Sequence, residues 1–227
     1  MPIFESWPWK AKIAKYADSL ERLRSGTEEY DDDQWWADFE EAVMAGAFAI
    51  RKLFESKKLS YEAQAITIDC KNSPKIPAPL LENGVSLKPS FMDRDKLDRY
   101  FDVAVQAQTK VDLQYFLNQV MHSIFFEVEP DEDGDDLVLA LCSDHRFQKR
   151  EEQLGLLWIP LTRIIAVFRE IADDDIELGM WHLNHETGVR EQIGFRDRKT
   201  AVDLGLASYS KDMPVPGSGK IGVWVGQ

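Results

Sequence analysis

The chain has 227 residues and carries 40 acidic against 27 basic side chains, for a net charge of −13. So much negative charge repels phosphate backbones and anionic membrane surfaces unless cations are gathered locally. It therefore points to a protein partner, a basic one most readily, or to self-association, and away from nucleic acid and membranes. With 44% hydrophobic and 11% aromatic residues, including seven tryptophans, the sequence has ample means to build a core.

The strongly apolar runs Ala42–Ile50 and Leu154–Ile159 fall short of the ~18–20 residues that span a bilayer. The opening MPIFESWPWKAK lacks the basic-then-apolar order of a secretory signal. Cys70 and Cys142 are too few for a disulfide framework and read as reduced and buried. The expected setting is cytoplasmic.

Pro8 and Gly26 bracket a first helix over residues 8–24, with Trp9, Ile13, Tyr16, Leu20 and Leu23 on its inner face. A short link, Thr27–Tyr30, makes it the antiparallel neighbour of the strongest element in the chain, a helix over Asp31–Ser56. There Trp36, Phe39, Val43, Ala47, Ile50 and Phe54 recur at helical spacing, with Trp35 and Leu53 widening the stripe. Asp31 to Asp33 suit the positive end of the helix dipole. Gly46 costs ~1 kcal/mol in mid-helix relative to alanine, which predicts close approach of a neighbouring backbone. Arg51, at the margin of the stripe, either pairs with Glu55 at the surface or faces a cleft.

Beyond Ser60 the pattern changes to Ala65–Cys70, a strand, followed by a proline-rich loop over Lys71–Pro89. Ser90 with Asp93 predicts a short helix to Phe101, residues 103–108 a short strand, and Thr109 with Asp112 the start of a helix to His122. Ile124–Glu129 and Leu137–Ser143 flank an acidic turn and predict a hairpin. Leu154–Ile159 reads as a strand and Pro160–Ala172 as a helix. Strands over Ile176–Leu183 and Val189–Arg196, a short helix over Arg198–Leu204 and an apolar stretch Ile221–Val225 close the chain, the last either pairing with a sheet edge or anchoring back on the domain. The pattern predicts an α+β fold: a mostly antiparallel sheet of about five strands packed against helices, led by a long N-terminal helical hairpin. Residues 1–205 form one domain, with the hairpin over 1–60 and mixed strands and helices over 61–205, and residues 206–227 form a tail.

No sequence motif is complete. Asp131–Asp136 lacks the glycine and glutamate spacing of a calcium loop, so a solvated turn is expected; the same holds for Asp173–Asp175. GSGK at Gly217–Lys220 lacks the first glycine and the hydroxyl of a phosphate loop. His182, His185 and Glu186 do not have the helical spacing that aims two imidazoles at one zinc. Asp144 before His145 reads as a turn cap. No cofactor or metal is expected.

One constellation carries chemistry. Asn118 and His122 stand one turn apart on a predicted helix, in LNQVMHS, with Tyr115 a turn earlier. An amide that orients an imidazole, joined by a cation, can cleave a phosphodiester: the imidazole moves the proton and the cation offsets the phosphate charge. These residues resemble the motif of the HEPN superfamily of ribonucleases and nucleotide-binding toxins, an arginine, a polar residue, three residues and a histidine. Asn118 and His122 match; Leu117 stands at the arginine position. The resemblance implies a metal-independent ribonuclease or nucleotide-binding protein using His122, Asn118 and Arg51, with Arg146, Lys149 or Arg150 forming a positive rim. Against it stands a non-enzymatic interaction or regulatory module, of an accessory or immunity type. Its support is the acidity, the absence of an intact catalytic motif and the aromatic N-terminal region Phe4, Trp7, Trp9, Trp35 and Trp36.

Overall fold

The stripe on the central helix is buried as its spacing requires. In the computed structural model, which describes residues 5–26, 32–77, 88–90, 93, 96–131, 134–148, 155–183, 190–204 and 222–225, helix α2 spans Asp32–Glu55 and buries Phe39, Ala42, Val43, Gly46, Ala47, Ala49, Ile50 and Leu53. Helix α1, Trp7–Ser25, ends at Gly26 in the left-handed conformation (φ 60°), which glycine adopts without steric cost. It buries Ile13, Ala17, Leu20 and Leu23 and packs against both α2 and a later helix, α6 (Leu161–Ala172). Trp35 stacks on Phe39 at 5.2 Å, and Phe39 meets Phe126 of the sheet at 5.9 Å.

The expected neighbour of Gly46 is a ring and not a backbone. A Cβ at this position would lie 2.1 Å from Cε2 of Phe168 on α6. The bare middle of α2 is therefore the socket of an aromatic side chain.

Five strands form one sheet: β1 (Thr67–Ser73), β2 (Ala107–Asp112), β3 (Ser123–Pro130), β4 (Leu137–Ser143) and β5 (Leu156–Pro160), in the order β2-β1-β5-β4-β3. Every pairing is antiparallel. The alternation along each strand serves two cores. Ile68, Cys70, Val111, Leu139, Leu141, Leu157 and Ile159 face the helices. Ala140, Cys142, Leu156, Trp158 and Phe125 face the other way, where Leu97, Tyr100 and Phe101 cover them. The antiparallel sheet and helical hairpin match the sequence reading, but both faces of the sheet are packed.

Two boundaries moved for a physical reason. Thr109 does not open a helix; it lies in β2 opposite Cys70, where a β-branched side chain fits a pleated surface. Asp112 is the cap instead: its carboxylate accepts the N–H of Tyr115 at 2.6 Å, and helix α4 covers Leu113–Met121. The helix expected over Ser90–Phe101 is, among the described residues, a 3-10 turn over Leu97–Arg99, although Ser90 and Asp93 do bond, Oγ to Oδ2, at 2.9 Å. Two short helices joined the count: α3, Tyr61–Gln64, capped by Ser60, and α5, Asp144–Gln148.

The acidic turn has a job that its sequence hides. Asp136 accepts from the hydroxyl of Thr162 at 2.6 Å and from its N–H at 3.3 Å, capping the N-terminus of α6 from outside the helix. Pro160, at the cap position, has no side-chain group for this.

The expected hairpin over residues 176–196 does not extend the main sheet. Strands β6 (Leu178–Leu183) and β7 (Arg190–Phe195) form a second sheet with β8 (Gly222–Val225), in the order β7-β6-β8; β8 is the predicted C-terminal strand. Helix α7, Arg198–Asp203, follows, capped by Asp197. The junction between this sheet and the helices is centred on Asp174, 2% exposed. Its carboxylate accepts from Ser60 N–H at 3.0 Å, Ser60 Oγ at 2.5 Å and Arg196 Nε at 2.8 Å. Lys10 of α1 donates to its carbonyl. Among the described residues no helix is long and apolar enough to cross a membrane. The NHETG turn, GSGK and most of the loop over 71–89 lie outside the described residues.

Gly46→Ala tests the packing of Phe168. Overpacking costs about 1–3 kcal/mol and the gain in helix propensity returns ~1 kcal/mol, so urea unfolding should show a net loss of up to about 2 kcal/mol. In a Phe168→Leu background the same change should cost less than in the wild type, because the smaller side chain leaves room for the methyl group.

Candidate functional site

Helix α4 sets the geometry of the constellation that the sequence singles out. Leu113, Phe116, Leu117 and Val120 point into the core, and the buried Gln119 accepts the N–H of Ser143 at 3.2 Å, fastening α4 to the end of β4. That orientation turns Asn118 and His122 outward. Asn118 is half-buried and His122 is exposed, at the C-cap of the helix, where its carbonyl accepts the N–H of Asp144 at 3.1 Å. Leu117, at the position of the motif arginine, is 1% exposed. Arg51 pairs with Glu55, Nε to Oε1, at 2.8 Å. Lys52 and Arg51 together hold the Glu55 carboxyl down at about 2, with the hydrogen bond from Lys52 the larger cause. No hydrogen bond or ion pair among the described residues joins Arg51, Asn118 and His122.

The one described arginine of the dense basic segment lies inside the protein. Arg146 is 4% exposed. Its Nε donates to the Gly155 carbonyl at 2.6 Å, Nη2 to Asn72 Oδ1 at 2.7 Å, and Nη1 to the Tyr115 hydroxyl, over whose ring the guanidinium sits. Phe147 joins the rings of Tyr100, Phe101 and Phe125. Lys149 and Arg150 lie outside the described residues, as does the WHLNHE turn beyond Leu183.

Neither cysteine is a nucleophile in this structure. Both are buried, and burial pushes Cys70 up to about 11 and Cys142 up to about 12, although Arg146 pulls each back. The thiolate, the reactive form, is scarce at neutral pH. Among the described residues no group of three or more His, Cys, Asp or Glu side chains could hold a metal ion.

Two surfaces stand out among the described residues. The first is the outer face of the helical hairpin. Trp7 is 69% exposed and Phe48 41% exposed, with Trp9 6.5 Å from Phe48, ring to ring. Lys12 and Lys52 lie over the rings of Trp9 and Phe48, at 5.6 and 5.5 Å. Trp35 and Trp36 are half-buried against the core; Phe4 lies outside the described residues.

The second surface is a groove of about 420 Å3 on the face of the main sheet away from the helices. Trp158, Val138 and Pro160 line its floor, Gln106, Gln108 and Lys71 one side, and Glu129 and Asp131 the other. The Trp158 indole donates to Ser73 Oγ at 2.8 Å, which fixes the ring. Sequence reasoning missed this groove. Its residues alternate with the core residues of their strands, so the signal was present, but it becomes a site only when the strand order is known.

Comparison of the chain with protein-family models, with curated proteins and with solved structures finds no match. Its function has to be read from its own residues.

Thiol titration at pH 8 should find the native protein unreactive and release both thiols in denaturant. The sign of the pH effect follows from the raised values. A folded thiol that holds its proton above the ordinary 9.0 adds stability below pH 9, and this is lost as pH rises through about 11 to 12. Denaturation midpoints should therefore hold up to pH 9 and fall above it, less steeply in Cys142→Ala.

Proposed function

We propose that this protein is a non-enzymatic interaction module that contacts a protein partner through the outer face of its N-terminal helical hairpin. The observation that carries the reading is the exposure of two large apolar side chains on the helical hairpin, Trp7 at 69% and Phe48 at 41%. Tryptophan presents a large apolar body whose burial dominates many interfaces. Trp9 packs against the Phe48 ring, and the stems of Lys12 and Lys52 extend the apolar area. The net charge of −13 keeps the rest of the surface polar and well solvated.

Cross-linking in its native cells, followed by direct binding to the partner so found, tests the reading. Trp7→Ala and Phe48→Ser should each weaken that binding tenfold or more, about 1.4 kcal/mol, without moving the melting temperature. Sedimentation of the same variants covers self-association through this face, where the wild type should gain mass at lower concentration than either variant.

The exposure of His122, with Asn118 one turn earlier, favours a second reading, a HEPN-like ribonuclease assisted by Arg51. Incubation with mixed RNA oligonucleotides separates the two. Under the first reading RNA stays intact; cleavage that disappears in His122→Ala would establish the second.

A further inference from the structure

The two edges of the main sheet are finished differently. An edge strand offers unpaired backbone N–H and C=O groups to any other strand, and proteins blunt such edges with bulges, charges and proline. The β3 edge has all three: its register shifts between Ser123 and Phe125, Glu127 and Glu129 interrupt it, and Pro130 ends it. The β2 edge, AQTKVD, has no proline and keeps an unbroken register with β1. Lys110, its one central charge, is neutralised by Asp69 at 3.1 Å. Asp112, at its end, is committed to the cap of α4.

The register also shows which backbone groups face outward. The N–H of Leu113 donates to the Ile66 carbonyl at 3.0 Å, one step beyond the pair Thr67 and Asp112. Hydrogen-bonded pairs alternate along an antiparallel ladder. Val111 and Thr109 therefore turn their N–H and C=O groups to β1, while Lys110 and Gln108 turn theirs away from the sheet. Among the described residues no backbone group bonds to these two from outside.

We infer that β2 pairs with β2 of a second copy of this chain, antiparallel, in one sheet continuous through both copies. The strand is self-complementary about a two-fold axis at Thr109. Gln108 then stands opposite Lys110 of the second copy, and the converse pair forms by symmetry; these residues exchange the outward backbone bonds. The two threonines meet across the axis and Ala107 meets Val111, with no like charges directly opposed. The two Lys110 side chains become diagonal neighbours, each held by its own Asp69. An axis at Lys110 would set two cations face to face, and one at Gln108 would draw in residues 104–106, outside the strand. Val105, 50% exposed just before β2, then lies toward the start of α4 of the second copy. Because β3 is blunted, the assembly closes at two copies instead of growing.

One pair of short strands buries less than the ~1,200–2,000 Å2 of a standard interface, so the dimer is a weak one. Two chains of net charge −13 also repel each other at long range, and association should strengthen as salt screens them. The inference rests on the sheet edge and not on the reading of Trp7.

The experiment is amide hydrogen exchange by NMR on the 15N-labelled full chain, from micromolar to millimolar protein, with sedimentation of the same samples. The amides of Thr109 and Val111 should be protected throughout. Those of Gln108 and Lys110 should exchange fast in dilute protein and become protected as mass is gained. Gln108→Glu, which sets an anion opposite Lys110 of the second copy, should tighten the dimer, and Gln108→Lys should weaken it. Each change should be about threefold or more, since the pair occurs twice. Trp7→Ala should leave the β2 contact intact. A chain that stays monomeric at millimolar concentration would overturn the inference, as would a dimer that leaves Gln108 and Lys110 unprotected. So would protection of these two amides already in the dilute monomer, or glutamate and lysine at position 108 acting in the same direction.

Discussion

The structure depends first on one buried guanidinium. Taking a charge out of water is tolerated only where its hydrogen-bonding groups are met, and Arg146 meets them with neutral acceptors on three separate segments: Asn72 on β1, Tyr115 on α4 and the Gly155 carbonyl before β5. Asn72 also accepts the N–H of Gly155 at 3.2 Å. Gly155 can take this position because it has no side chain; a Cβ there would lie 1.6 Å from the Ser73 carbonyl oxygen. One side chain thus fixes how β5 enters beside β1, and that entry sets the register of the central strands. Every row of side chains on both faces of the sheet follows from it, including the row that floors the groove.

Asp174 is the complementary device, a buried anion between the helices and the second sheet. It gathers the start of α1 through Lys10, the cap of α3 through Ser60 and the end of β7 through Arg196, which also reaches Glu170 on α6 at 3.0 Å. Removing any one donor would leave the carboxylate less than fully met in a dry setting, where unpaired charge is most costly. The small second sheet has a minor core of its own, Leu178, Met180, Phe195 and Ala201, so its attachment relies on this polar junction as well as on packing such as Tyr61 against Phe195.

These constraints bear on function by deciding which side chains are left over. Arg146, Phe147, Cys70 and Cys142 are consumed by the interior, which takes Arg146 out of the expected basic rim and leaves neither thiol at the surface. Among the described side chains that reach solvent are His122, aromatic rings with lysine stems on the helical hairpin, and Glu129 and Asp131 at one side of the groove on the reverse of the sheet.

The sequence by itself determined the elements whose period is long and clean. The stripe of α2, the face of α6 and the hairpin β3–β4 are local patterns: a 3.6-residue or a two-residue repeat needs no knowledge of a partner. The pairing of Arg51 with Glu55 was legible for the same reason, since both stand on one helix, four residues apart. Tertiary structure decided the rest. Thr109 has a helix-capping sequence around it but a strand's position beside Cys70. RFQKR reads as a surface patch, yet Arg146 finds acceptors inside only because residues 72, 115 and 155 converge there. Gly46 faces Phe168, more than a hundred positions away, and Asp136 caps a helix that it does not belong to. The groove is the extreme case: Trp158, Glu129 and Gln108 become neighbours through strand order alone, and strand order is set by long-range contacts that no local window contains.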